Sequence, residues 1–154
     1  MRTIVFAVIL SLLIPMAALA KPNPLAKYEK EAIAIMEDCF EKTPYLSTAD
    51  ALETGDEAFK KIDGLLNAAY KETMTNLKNT SKTLADLLLA DQRAWLKFVE
   101  KFCSEEADGF GSGGTLYYTM AANAKMRFWV ERISYLRIIN RNVVSEFSDS
   151  PDED

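Results

Sequence analysis

Apolar residues recur every three or four positions along most of the chain, which is the spacing of one face of an α-helix. Three such stripes are evident, and each predicts a helix that buries one of its faces. The first contains Leu25, Tyr28, Ala32, Ile35 and Cys39, the second Phe59, Ile62, Leu66, Ala69, Tyr70, Thr73 and Leu77, and the third Leu84, Leu87, Leu88, Trp95, Phe98 and Phe102.

Residues with special backbone or capping roles mark where these helices begin and end. Pro24 suits the first turn of a helix, and the Thr-Pro pair at 43–44 ends the first one. Residues 47–50 predict a short helical turn with a hydroxyl as N-cap. The capping-box spacing of Thr54 and Glu57 predicts that the second long helix begins there.

Four glycines between positions 109 and 114 predict a flexible connection after the third helix. A fourth, long helix is predicted from about Thr115 to Phe147. No segment shows the alternation of apolar and polar residues that is typical of a strand. The pattern therefore predicts an all-α fold, a small bundle of about four main helices.

The N-terminal residues have the pattern of a cleavable signal peptide. Arg2 precedes a short apolar run at 4–14, and Ala18 and Ala20 have the spacing of an A-x-A cleavage site. The alternative is a membrane anchor, but the apolar run is short for a transmembrane span. We predict a signal peptide at 1–20, cleavage after Ala20, and a periplasmic or secreted protein without stable membrane insertion.

The chain is acidic, with 18 basic and 23 acidic residues, and loss of Arg2 with the signal peptide changes the formal net charge from −5 to −6. No basic patch is present, so nucleic acid is not predicted as a partner. The charge favours a cationic protein partner, or it only keeps the protein soluble. Residues 21–147 are predicted to form one domain, and the acidic segment 148–154, which lacks apolar residues, a disordered tail.

The residue types needed for catalysis are scarce. The chain has no histidine, which excludes histidine-based triads and ordinary zinc sites. Glu105 and Glu106 are adjacent carboxylates, but neighbouring positions on a helix point about 100° apart. They are therefore unable to flank a glycosidic bond as a pair of glycosidase carboxylates does. We predict no catalytic residue, no metal and no cofactor, and a protein that is not an enzyme.

Two cysteines, Cys39 and Cys103, are present. An even number of cysteines in an exported protein predicts a disulfide. A bond between them would close a loop of about 65 residues and stabilise the fold by roughly 4 kcal/mol through chain entropy. The alternative is a reactive thiol, which Glu105 and Glu106 disfavour because they destabilise a thiolate.

Two sequence blocks and a downstream cysteine resemble a known family. The block D-x-x-L-N-x-x-Y and the block L-L-x-x-Q-R-x-W are followed by a cysteine eight residues after the tryptophan. The matching residues are Asp63, Leu66, Asn67, Tyr70, Leu88 or Leu89, Gln92, Arg93, Trp95 and Cys103, with Arg132 as the arginine of the last helix. Over residues 39–136 the chain resembles the LprI-like lysozyme-inhibitor family of small exported bacterial proteins.

The resemblance implies further expectations about the cysteines. Members of the family commonly carry four, and the second and fourth are expected near positions 54–55 and 123–124, where this chain has none. If the two missing cysteines bridged each other, the resemblance implies that Cys39 and Cys103 form the remaining bridge. It also implies looser tethering between the segment near 54–55 and the last helix.

The family motif residues themselves are interpreted as structural, because aromatic and apolar residues at helical spacing usually fill cores. A partner-binding loop is predicted separately, in the glycine-rich segment, where aromatic anchors and hydrogen-bonding groups occur together. The candidate residues are Asp108, Phe110, Ser112, Thr115, Tyr117 and Tyr118. The alternative is a plain connection between two helices.

The resemblance implies a function, inhibition of a lysozyme-type muramidase by occlusion of its cleft. One alternative is an immunity or envelope accessory protein that binds another exported partner. Another is a purely structural bundle, which no feature of the sequence excludes.

Overall fold

The computed structural model describes residues 23–109 and 115–147, with side chains described for 23–105 and 122–142. Its helices are α1 (Ala26–Lys42), α2 (Thr48–Thr80), α3 (Lys82–Gly109) and α4 (Thr115–Phe147), and a 3₁₀ turn (Thr43–Tyr45) follows α1. Within these described residues, the prediction of an all-α fold with four main helices is confirmed. The predicted signal peptide and acidic tail lie outside the described residues, and no described helix is long and apolar enough to cross a membrane.

The second helix begins earlier than predicted. Ser47 is its N-cap, and its hydroxyl oxygen accepts a hydrogen bond from the backbone N–H of Asp50 at 3.3 Å. From Thr48 the helix continues unbroken to Thr80, so the predicted separate turn at 47–50 and the predicted start at Thr54 are wrong. No proline lies between Ser47 and Thr80, so the helix that Ser47 caps is not interrupted. Residues 47–50 therefore belong to the first turn of this helix.

Side-chain contacts define the direction of each helix. In α2 and α4, Asp63 contacts Trp129 and Asn76 contacts Asn140, so these two helices run parallel. Tyr28 near the start of α1 contacts Glu72 late in α2, whereas Cys39 near the end of α1 lines the same pocket as Gly55 early in α2, so α1 runs antiparallel to α2. Asp91 of α3 contacts Arg132 of α4, and Phe102 of α3 contacts Phe128, so α3 runs antiparallel to α4. The helices therefore alternate in direction along the chain, as in an up-down-up-down bundle.

The most extensive helix contact is between α2 and α4, which form the centre of the bundle. The helices α1 and α3 each pack against both of them, but among the described residues α1 and α3 do not contact each other. The bundle is therefore flattened: the central pair separates the first helix from the third.

This arrangement excludes the predicted disulfide between Cys39 and Cys103. Cys39 is buried near the end of α1, where its Sγ lies 3.8 Å from the Oγ1 of Thr43, and Cys103 lies in α3. A disulfide needs Cα atoms within about 7 Å of each other, whereas these two cysteines are not near each other. The predicted bridge is wrong. The expectation from the family resemblance, that Cys39 and Cys103 bridge each other when the other two family cysteines are missing, is therefore wrong as well.

The predicted core stripes of α1 and α2 are confirmed in most of their positions. In α2 the buried residues are Ala58, Ile62, Leu66, Ala69, Thr73 and Leu77, and in α1 they are Ala32 and Cys39, with Leu25 just before the helix. These residues pack against Met126, Trp129, Val130, Ile133 and Leu136 of α4. The central contact of the bundle is therefore an apolar layer.

The predicted core face of α3 is partly wrong. Phe98 is 57% exposed and Leu87 is 61% exposed, whereas Ala85, Leu88 and Val99 are buried. The buried face is therefore displaced by about one residue, or about 100°, around the helix. The displaced aromatic residues pack on one another at the surface: Phe98 and Phe102 lie 6.4 and 5.6 Å from the ring of Phe128.

The separation of α1 from α3 generates a testable prediction about the cysteines. In peptide mapping of the mature protein without reductant, we expect no peptide pair joined through Cys39 and Cys103, because α2 and α4 lie between the two helices. Cys39 is expected to be alkylated only after denaturation, because its thiol is buried. A cross-linked pair in freshly purified native protein would contradict this arrangement.

Candidate functional site

Asp63 and Trp129 form the first polar contact inside the bundle. The Trp129 indole N–H donates to Asp63 Oδ1 at 2.8 Å, and Asn67, one helical turn along, donates from Nδ2 to Asp63 Oδ2 at 3.0 Å. Trp129 is buried, and a buried indole N–H needs an acceptor. Asp63 supplies it from the neighbouring helix and so connects α2 to α4.

Arg132 forms the second contact, between α4 and α3. Its side chain is only 6% exposed, and it donates from Nε to Gln92 Oε1 at 2.8 Å and from a terminal nitrogen to Asp91 Oδ2 at 2.5 Å. The guanidinium also lies over the rings of Trp95 and Tyr135, at 5.1 and 4.6 Å. A buried cation is tolerated when it is paired and hydrogen-bonded in this way.

The two contacts are joined by aromatic rings. The rings of Trp95 and Trp129 are 4.9 Å apart, and the ring of Phe59 lies 5.1 Å from that of Trp129. Four residues of the family pattern, Asp63, Gln92, Trp95 and Arg132, thus meet in one place between α2, α3 and α4. We call Asp63, Gln92, Trp95, Trp129 and Arg132 the motif cluster.

Tyr70 is another residue of the family pattern, and it lies near the motif cluster. Its hydroxyl oxygen is buried and has no hydrogen-bond partner among the described residues. Burial raises the pKa of Tyr70, and the positive charges of Arg93 and Arg132 oppose that rise. Arg93 itself is exposed, and Arg132 is the residue that pairs with Asp91.

A second ion pair connects the first helix to the last one. The Nε of Arg137 lies 2.5 Å from Glu29 Oε2, and the hydroxyl of Ser134 donates to Glu29 Oε1 at 2.6 Å. The Arg137 contact is an ion pair rather than a well-aligned hydrogen bond. It secures α1 to the side of α4 away from α3.

A pocket opens beside the aromatic rings, where the end of α1 meets the beginning of α2. It has a volume of about 260 Å³ and is lined by Cys39, Thr43, Ala51, Leu52, Gly55, Asp56, Phe59, Ala122, Asn123 and Lys125. The Lys125 ammonium lies over the rings of Phe59 and Trp129, at 4.4 and 5.3 Å. The pocket is therefore mostly apolar, with one cation and one carboxylate at its wall.

The pocket includes both positions at which family members were expected to have additional cysteines. Gly55 and Asn123 line it from α2 and α4, so the two helices face each other there. A Cβ atom built at Gly55 would meet nothing within 4 Å. In this chain the space between the two positions is therefore open.

The predicted partner-binding loop includes the end of α3 and the beginning of α4. The side chains of Asp108, Phe110, Ser112, Thr115, Tyr117 and Tyr118 lie outside the described residues. Only the backbone of some of them is described, since α3 ends at Gly109 and α4 begins at Thr115. Among the residues whose side chains are described, no group of three acidic, cysteine or histidine residues could hold a metal ion.

The sequence analysis missed the residues that connect the motif cluster. Phe59 was assigned only to an apolar stripe, and no site role was predicted for Trp129 or Asp91. The available signal was the chemistry of Trp129, because an indole N–H in a buried stripe requires an acceptor on another helix. Sequence alone does not say which of the carboxylates supplies it.

The motif cluster predicts how the protein responds to loss of its buried cation. We expect Arg132→Ala to lower the free energy of unfolding by about 2 kcal/mol, because it removes a buried side chain that pairs with the half-exposed Asp91 and contacts two rings. Arg141→Ala, on the exposed part of the same helix, is the control and should change it by less than about 0.5 kcal/mol. Urea denaturation measures both, and equal small effects would contradict the structural role.

For Tyr70, another residue of the family pattern, we expect that a substitution does not lower the stability of the protein. We expect Tyr70→Phe to leave stability unchanged or to raise it by about 1 kcal/mol, because a buried hydroxyl without a partner is costly. Tyr28→Phe is the control, since the Tyr28 hydroxyl donates to Glu72 at 3.1 Å and its removal should cost about 1 kcal/mol. A larger loss for Tyr70→Phe than for Tyr28→Phe in thermal unfolding would show that the Tyr70 hydroxyl is bonded.

The comparison with known proteins agrees with the motif residues. Residues 39–136, more than half of the chain, match the family model described as "Lysozyme inhibitor LprI". The matched segment contains the whole motif cluster and the pocket. The chain matches no curated protein and no solved structure. On the strength of the family match, this protein belongs to the LprI lysozyme-inhibitor family.

Proposed function

We propose that the mature protein is an exported, non-catalytic binding protein that inhibits a lysozyme-type muramidase by occluding its cleft. The observation that carries the proposal is the match of residues 39–136 to the lysozyme-inhibitor family. The proposal extends that family function to this chain.

The geometry of the motif cluster supports a binding rather than a catalytic role. Asp63, Asp91 and Arg132 have the chemistry of catalytic groups, but their polar atoms bond to one another and to neighbouring side chains. Groups engaged in this way hold helices together. The surface is then left for contact with a partner.

The overall charge supports a cationic partner. The net charge of the chain is −5 with residues 1–20 and −6 without them. A protein with this charge attracts a cationic enzyme over a distance of roughly one Debye length, about 10 Å at 0.1 M salt. The attraction would raise the association rate and would weaken as salt is added.

Export follows from the same proposal. Members of the family are exported, and residues 1–20 supply the signal-peptide pattern with cleavage after Ala20. Residues 21–147 then form the folded domain, and residues 148–154 form a tail. The loop that contains Phe110, Tyr117 and Tyr118 is one candidate contact region for the partner.

The proposed function predicts that the mature protein, beginning at Lys21, slows lysis of bacterial cell walls by a cationic c-type lysozyme. The expected result is a rate that falls with inhibitor concentration and approaches zero at molar excess, because each cleft is blocked by one inhibitor. Turbidity of a cell-wall suspension measures the rate. The heat-denatured protein is the control, and undiminished lysis at a hundredfold molar excess of native protein would contradict the proposal.

A further inference from the structure

The negative charge of this protein is concentrated in one short segment. Residues 37–57 contain seven acidic residues and one basic residue, Lys42, whereas the rest of the chain after Ala20 contains sixteen of each. The seven are Glu37, Asp38, Glu41, Asp50, Glu53, Asp56 and Glu57. The entire net charge of the mature chain therefore comes from this segment.

The fold gathers this segment at one corner of the bundle. It comprises the end of α1, the 3₁₀ turn and the first turns of α2. At 1.5 Å per residue, the helical parts extend only about 15 Å from the turn. All seven acidic residues are exposed, so their charges act on a partner as one field. We call residues 37–57 the acidic corner.

Most of this charge is not neutralised within the protein. Asp38 pairs with Lys42 at 2.6 Å and Asp56 with Lys60 at 2.5 Å, and all four side chains are largely exposed. Exposed pairs of this kind are weak and are easily exchanged. The other five acidic residues form no ion pair with any residue whose side chain is described: Glu37, Glu41, Asp50, Glu53 and Glu57.

The acidic corner also exposes apolar side chains. Tyr45 is 89% exposed in the 3₁₀ turn, and Leu46 and Leu52 are exposed beside it. Leu52 is also part of the wall of the pocket described above, which continues inward to Phe59. An exposed aromatic anchor next to an apolar recess, with charged groups around both, is the usual anatomy of a protein interface.

We propose that the acidic corner is the surface that docks a cationic protein partner, with Tyr45 inserted into the partner and the pocket receiving a partner side chain. Charge complementarity decides the class of partner, because the same short segment carries seven exposed carboxylates and the exposed apolar residues. A second copy of this chain is disfavoured at this surface, because it would bring two acidic corners together. The identification of the partner as a lysozyme rests on the proposed function.

Two kinds of variant of the mature chain test the acidic corner. The first replaces its five carboxylates that lack an ion pair, as Glu37→Gln, Glu41→Gln, Asp50→Asn, Glu53→Gln and Glu57→Gln together. Its control replaces five exposed carboxylates elsewhere, as Glu31→Gln, Asp86→Asn, Glu100→Gln, Glu105→Gln and Glu131→Gln. Two of these, Asp86 and Glu105, form exposed pairs with Lys82 and Lys101, which contribute little. Both proteins have the same net charge, so a difference between them reports location.

The second kind of variant tests the apolar part. Tyr45→Ala removes the exposed ring, and Gly55→Leu fills the pocket. Leucine is a better helix former than glycine, and a Cβ atom at position 55 meets nothing within 4 Å. This variant is therefore expected to fold, and circular dichroism of each variant checks that it does.

The measurement is the dissociation constant for a cationic c-type lysozyme, by calorimetry at two salt concentrations. We expect the corner variant to bind at least thirtyfold more weakly with a reduced salt dependence, Tyr45→Ala and Gly55→Leu about tenfold more weakly, and the control within threefold of wild type. If the wild type binds lysozyme and the corner variant, Tyr45→Ala and Gly55→Leu bind it with the same affinity, this inference is wrong and the proposed function is unaffected. Absence of binding by the wild type would contradict the proposed function, and the assignment of the partner with it.

Discussion

The guanidinium of Arg132 is a positive charge held inside a helical bundle, and the arrangement of three helices depends on how it is accommodated. Burial of an isolated cation would cost several kcal/mol, so its partners have to be fixed in place. Asp91 and Gln92 supply them from α3, and Trp95 supplies an aromatic face. Because these three residues lie within two turns of one helix, the pairing also fixes the register of α3 on α4.

The same interaction extends to α2 through the aromatic rings. Trp95 lies against Trp129, and Trp129 donates its indole N–H to Asp63. The central pair of helices is thus held by an apolar layer and by a polar contact that tolerates no shift in register. The consequence is that α1 and α3 remain on opposite sides, which keeps Cys39 away from Cys103 and leaves the turn between α1 and α2 at an open corner.

Much of this fold was predictable from the spacing of apolar residues, and the failures have physical reasons. The stripe of α2 was predicted well because that helix lies at the centre and buries one continuous face. In α3 the predicted buried face is displaced from the observed one, because Phe98 and Leu87 are apolar but exposed. The predicted disulfide was wrong because an even number of cysteines carries no information about which helices are neighbours.

The site was less predictable than the fold. The family residues Asp63, Gln92, Trp95 and Arg132 were identified from their pattern, but their mutual contacts arise only when three helices pack together. The acidic corner was overlooked, because a net charge is a property of the whole chain until the fold gathers the carboxylates in one place. Tyr45 carries no periodic signal, since the 3₁₀ turn that contains it is too short to show one.

The central claim is that the motif cluster builds the scaffold while the acidic corner contacts the partner. Covalent labelling of carboxylates, read by mass spectrometry with and without bound lysozyme, tests it most directly. The account predicts that lysozyme suppresses labelling of Glu37, Glu41, Asp50 and Glu53 and leaves Glu100 and Glu131 unchanged. Suppressed labelling at Glu100 and Glu131 with an unaffected corner would contradict it.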